Sequence, residues 1–155
     1  MITHSQARSM AEIHWGRGGT NSSKTNRKGA FYFSCSSHGG FVIDGRCLSE
    51  TERSLMKKYI EPETGCEVVR QDGSVRRFQS PRSSRGIRYY PGSEVLRKVE
   101  IFFAEEDCDW AIPVLIAGIT CERMTKESAL DSFKRWREPS NHQLTEILAL
   151  SDETC

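Results

Sequence analysis

The chain has no apolar run long enough to cross a membrane. Its longest such stretch, Trp110 to Thr120, is broken by Pro113 and Gly118, whereas a spanning helix needs roughly 18 or more apolar residues. No C-x-x-C pair is present, and no cysteines and histidines stand at zinc-finger spacing, which removes the common structural zinc modules. Net charge is only +1, so bulk electrostatics point neither to a nucleic-acid binder nor to a membrane-surface protein. The opening MITHSQARSMAEIHW has none of the apolar core of a secretory signal. The expected location is therefore the cytoplasm, with no membrane partner. There Cys35, Cys47, Cys66, Cys108, Cys121 and Cys155 are expected to be free thiols, mostly small core residues. The glycines at 16–19 do not lie between a strand and a helix, so they form no phosphate-binding pattern and imply no cofactor.

What is present suits one ordinary domain. Hydrophobic residues make up 37% of the 155 and charged residues 28%, a globular composition in a chain long enough to bury a core. Residues 17–28, RGGTNSSKTNRK, contain no apolar side chain and are expected to form a mobile loop. AFYFSCSS (30–37) and GFVIDG (40–45) read as two strands meeting at a turn. In LSETERSLMKKYI, Ser49 and Glu52 form a capping box, Leu55, Met56 and Tyr59 share a helical face, and Pro62 marks the stop. CEVVRQDGSVRRFQ predicts a hairpin turning at Asp72-Gly73. IRYY (87–90) and VLRKVEIFFAE (95–105) read as strands, the latter central.

WAIPVLIAGI predicts a buried helix. Pro113 constrains it to begin near Asp109, or to begin near Glu106 and kink. TKESALDSFKRW is an amphipathic helix capped by Thr125, with Ala129, Leu130, Phe133 and Trp136 on one face. NHQLTEILAL (141–150) predicts a last short helix before a frayed tail. The expected fold is α+β: a single domain over residues 1–155, an antiparallel sheet packed against C-terminal helices, with a basic hairpin insertion at 66–90.

Three constellations could carry chemistry. In AEEDCDWAI, Glu105, Glu106, Asp107 and Asp109 place four carboxylates within five positions. Such a cluster can hold a hard cation or raise one pKa for acid–base work. Just ahead of an apolar helix, acids are also favoured by the partial positive charge of the helix start, and this reading needs no ligand. The same carboxylates disfavour a thiolate at Cys108, so a structural cysteine is expected there.

His38, in SSHGG, is either locked by hydrogen bonds at a strand end or presented for catalysis by the close backbone approach its glycines allow. A sharper expectation joins the two motifs: His38 pairs with a carboxylate of the 105–109 cluster, Asp107 first, either as a structural tie or as a catalytic base-plus-orienter pair that uses Asp107 or Glu106. In that case the protein is a hydrolase or a metal-dependent enzyme.

Between positions 70 and 90 stand six arginines and one acid. Arg76, Arg77, Arg82, Arg85 and Arg88, with Tyr89 and Tyr90, form a mixture used at protein interfaces and on single-stranded nucleic acid. A solvated hairpin face, or arginines that compensate the acidic cluster, accounts for them equally well.

The order Trp15-Gly16, SSHGGF (36–41), EEDCDWAI (105–112) and SALDSFKRW resembles a family of small uncharacterised domains from phages, plasmids and bacteria. The chain departs from that pattern at Pro113 and in its arginine-rich middle. The resemblance implies an accessory protein of mobile elements. With the small size and the lack of a recognisable active site, it favours a protein that acts by binding a protein partner, such as a host defence nuclease complex of the CRISPR type. It implies no catalytic activity.

Overall fold

Apolar residues on both faces of the central strands, at 30–34, 39–44 and 95–105, give this sheet two buried faces, each packed against helices. The structure is a computed structural model that describes residues 1–16, 20–36, 38–81, 95–107 and 109–136, with only the backbone of Arg76 and Trp136. Its elements in chain order are α1 (His4–Trp15), β1 (Asn21–Ser23), β2 (Ala30–Ser34), β3 (Gly39–Asp44), a 3-10 turn (Gly45–Cys47), α2 (Glu50–Met56), β4 (Glu63–Val69), β5 (Val75–Gln79), β6 (Val95–Glu105), α3 (Ala111–Ala117) and α4 (Lys126–Trp136). The expected strand at 87–90 and the expected helix at 141–150 lie outside the described residues, as does Cys108.

The six strands are ordered β1-β2-β3-β6-β4-β5, and every neighbouring pair is antiparallel. The last strand in sequence is thus central, as its aromatic and β-branched density predicts. It lies between β3 and β4, which α2 connects, so β3–α2–β4 is a split βαβ unit with β6 in the gap. On one face Tyr32, Phe41, Ile43, Phe102 and Ala104 join a core with α2, α3 and α4. On the other, Phe33, Val42, Val99, Ile101 and Phe103 pack with Ala7, Met10 and Ala11 of α1. Residues one position apart thus enter different cores, because successive side chains on a strand point to opposite faces. All six residues of β3 are buried, which is why it reads as a continuous apolar run rather than an alternation.

The capping box of α2 forms: Ser49 Oγ accepts from the Glu52 amide and Glu52 Oε2 accepts from the Ser49 amide. Leu55 and Met56 are buried. Thr125 caps α4, accepting from the Ser128 amide, and Ala129 and Phe133 are buried beneath it. Helix α1 also carries a reciprocal box, Thr3 with Gln6. The hairpin β4–β5 turns through Asp72-Gly73; Gly73 has φ +83°, and Asp72 Oδ1 accepts from the amide and hydroxyl of Ser74. The described cysteines, Cys35, Cys47, Cys66 and Cys121, are all free thiols.

Within the segment expected to be a mobile loop, the described residues have specific partners. Residues 21–23 form β1 on β2. Asn26 then donates to the Gly118 carbonyl and accepts from the Thr120 amide. Arg27 donates to Glu52 and to the carbonyls of Cys47 and Ala117. Polar side chains can tie down a segment that has no apolar residue to bury, and composition alone does not register such bonds. Residues 17–19 lie outside the described set.

Helix α3 begins at Ala111 and puts Pro113 in its first turn, where a missing N–H costs no intrahelical bond. Its first turn contains no acid. The expectation that the carboxylates serve as the acidic start of this helix is therefore not met: Glu105 ends β6, and Glu106 and Asp107 form the turn that follows.

Candidate functional site

Register is what brings the two polar motifs together. Because β3 pairs antiparallel with β6, Gly40 lies opposite Glu105, and the β2–β3 turn meets the β6–α3 turn at one end of the sheet. The Glu106 amide donates to the Gly39 carbonyl at 2.8 Å and locks the two turns together. Within the first turn the Cys35 amide and thiol both donate to the His38 carbonyl, at 2.7 and 3.0 Å. Within the second, the amides of Asp109 and Trp110 both donate to the Glu105 carbonyl. Trp110 is buried.

The two glycines after His38 make this approach possible. A Cβ on Gly39 would sit 2.6 Å from the Phe33 carbonyl oxygen, and one on Gly40 would overlap the Ala104 carbonyl. Gly40 also has φ +151°, a conformation costly for side-chain-bearing residues. The Gly-Gly pair is thus a packing requirement of the β2–β3–β6 contact, and it fixes where His38 stands.

His38 Nδ1 lies 3.4 Å from Glu105 Oε1, with the two side chains 48% and 36% exposed. Ligating atoms of His38, Glu105 and Asp107 all fall within 4.8 Å of one another. Metal–ligand bonds of about 2.0–2.2 Å place neighbouring tetrahedral ligands roughly 3.4 Å apart. The His38–Glu105 pair already has that spacing, and Asp107 stands exposed on the turn beside it, within the 4.8 Å that encloses all three.

Glu106 points elsewhere. Its Oε2 accepts from the Tyr32 hydroxyl at 2.9 Å. Burial, reinforced by this bond and by the carboxylate's charge, pushes the Tyr32 phenol well above its ordinary pKa, so at neutral pH Tyr32 keeps its proton and donates it. Glu106 therefore anchors the turn from the core side, while Glu105 and Asp107 face His38. Reading the sequence for acids alone could not sort these neighbours.

The basic surface is only partly described. Arg77 is exposed on β5 and pairs in register with Val68, and the Arg76 backbone continues the same strand. Arg82, Arg85, Arg88, Tyr89 and Tyr90 lie outside the described residues. Among the described residues β5 pairs along one side only and ends the sheet.

A second charged constellation went unread in the sequence. Asp44, fully buried, accepts from the Ile2 and Arg46 amides and from the Arg46 guanidinium. Glu67, 4% exposed, accepts from Arg46 and Arg97. Burial alone would raise both carboxyls. For Asp44 the bonds from the Arg46 side chain and from the two amides outweigh it, and for Glu67 those from Arg46 and Arg97 do, so both pKa values lie below the ordinary range. Both Asp44 oxygens and Glu67 Oε2 are engaged by protein donors, the pattern of a structural cluster.

No helix among the described residues is long and apolar enough to cross a membrane. No family model matches the chain, and neither does any curated protein or solved structure. The resemblance drawn from the Ser-His-Gly-Gly and Glu-Glu-Asp-Cys motifs therefore rests on those motifs.

Proposed function

We propose that the protein binds a divalent cation on His38, Glu105 and Asp107 and uses it to activate water for hydrolysis. The observation that carries this reading is the convergence, within 4.8 Å, of one imidazole and two carboxylates from segments nearly 70 residues apart in the chain. A mixed nitrogen and oxygen donor set suits zinc or manganese better than calcium. Three protein donors at a solvent-facing position leave room for water and substrate, as catalytic metal sites require, and a bound ion lowers the pKa of its water toward about 7. Glu106, held by Tyr32, keeps the turn in place.

Thermal melts with zinc, manganese and magnesium ions check this reading. An ion that binds only the folded chain stabilises it by about 2.7 kcal/mol at a hundred times Kd, which is roughly 5–10 °C at this chain length. The shift should vanish in His38→Ala and Asp107→Ala, whose ion-free melting should stay near that of the parent because both residues are exposed. No shift with any of the three ions overturns the reading. A shift without ion-dependent turnover of ester or phosphodiester substrates removes its catalytic half.

A second reading is that the protein acts by binding, as a mobile-element accessory protein that occupies a partner such as a host defence nuclease complex. The observation in its favour is the sheet end at β5, where Arg77 is exposed and Val75 is 47% exposed. A strand added to that end would gain main-chain hydrogen bonds beside cationic side chains. Joint substitution of Arg76, Arg77 and Arg85 by glutamate should weaken capture of such a partner by a hundredfold or more, as expected when central arginines are lost. Unchanged capture would sink this surface. Affinity that falls steeply with salt and follows single-stranded nucleic acid would redirect it.

A further inference from the structure

We propose that a cleft between the N-terminal segment and the β1–β2 connection binds a small organic anion with a flat apolar body, at a site separate from the cation-binding turns. The cleft encloses about 750 Å³, within the range of roughly 300–1,000 Å³ typical of small-molecule sites. By contrast, the hollow beside His38 holds about 10 Å³, enough for one water.

Its lining combines two chemistries. Met1, Ile2, Ala30 and Phe31 supply apolar surface, Lys24 and Lys28 supply positive charge, and among the described residues no carboxylate lines it. Both lysines are exposed, and neither forms an ion pair among the described residues. Arg27, the third cation of the lining, is neutralised by Glu52 at 3.0 Å. Two unneutralised ammonium groups over an apolar floor favour a ligand that carries negative charge at one end and hydrocarbon at the other. Phe31 forms an edge contact with His4, their ring centroids 5.8 Å apart, so the floor is aromatic and suits a planar group.

Both walls are held by hydrogen bonds, to Asp44, Gly118 and Thr120 outside the cleft and between Thr25 and Ala30 within its lining. The Ile2 amide donates to buried Asp44. Thr25 Oγ1 donates to the Ala30 carbonyl at 2.6 Å, and Asn26 is clamped to Gly118 and Thr120. A ligand entering such a preformed space meets little ordering cost. The hydrogen-bonding capacity of the TNSSKTNRK segment is thus spent on its own architecture, which leaves its lysine charges for a visitor.

Fluorescence titration with anilinonaphthalene sulfonate, compared with its uncharged analogue N-phenylnaphthylamine, tests the proposal. The expected result is saturable one-site binding of the sulfonate, and binding of the neutral analogue weaker by about tenfold, the loss expected when an anion leaves a cationic site. Lys24→Gln with Lys28→Gln should weaken sulfonate binding by a similar factor, with an unchanged urea midpoint. His38→Ala should leave it unaltered. Equal binding of the two dyes, unsaturable binding, or full affinity in the lysine double variant would each overturn the proposal.

Discussion

Gly40→Ala is expected to destabilise the fold by about 3 kcal/mol or more, combining overpacking with positive-φ strain. The added Cβ would meet the Ala104 carbonyl and approach the Glu105 Cα to 2.9 Å. Both are backbone atoms of the central strand, so relief requires β3 and β6 to part. That separation would also carry His38 away from Glu105 and Asp107, so the surviving folded fraction should lose cation-dependent stabilisation. Urea unfolding measures the first effect, as a lower midpoint at similar slope. Gly73→Ala is the internal comparison: its φ is +83° but a Cβ there meets nothing within 4 Å, so it should lose only about 1 kcal/mol. Equal losses at the two positions would contradict the packing account of the Gly-Gly motif.

Asp44→Ala should cost about 3–5 kcal/mol, the usual result of removing one partner of a buried ion pair. The loss strands the Ile2 amide and leaves the Arg46 guanidinium with Glu67 alone. Asp44→Asn keeps an acceptor and should lose less. Acid should act on the same network. Asp44 and Glu67 have folded pKa values below their unfolded ones, so the unfolded chain binds more protons as pH falls. Their contribution is complete above the unfolded values, about 3.9 and 4.3, and disappears as pH drops through the lower folded values. Urea midpoints for the parent chain should therefore fall steeply below about pH 4, and those of Asp44→Asn should fall less. A parent profile flat down to pH 3 would show that the network contributes little.

Local chemistry explains which elements could be read in advance. Ser49 and Glu52 satisfy each other's backbone within one turn, so α2 is written in four residues. The Asp72-Gly73 turn and the amphipathic spacing of α4 are equally local. Helix α1 was readable too, from Thr3-x-x-Gln6 and the buried trio Ala7, Met10 and Ala11, but its polar composition made it look only like the absence of a signal peptide. The acidic run misled for the opposite reason. Taken locally, acids before an apolar stretch suit a helix start, yet pairing with β3 extends the strand through Glu105 and delays the helix to Ala111.

The candidate site divides along the same line. His38 and the acids each stood out by residue type, and their association was an expectation. Which acids face the imidazole depends on where β6 ends, on the turn that follows it and on the Tyr32–Glu106 bond, none of which can be seen without the tertiary structure. The Asp44–Arg46–Glu67–Arg97 network was invisible for a related reason. Charged residues in a sequence read as solvated, and only the fold buries Asp44 and Glu67 and brings the partly exposed Arg46 and Arg97 to them, Arg97 directly opposite Glu67 across β4 and β6.

By itself, then, the sequence determined the α+β class, the hairpins, α2, α4 and the centrality of β6, because each depends on bonds or periodicities spanning a few residues. Only the tertiary structure decided that β6 inserts between β3 and β4, that Gly40 meets Glu105, and that a polar segment is clamped into the wall of a cleft. Those outcomes depend on contacts between distant residues, whose free energy comes from burying two sheet faces at once and is recorded in no single stretch of the chain.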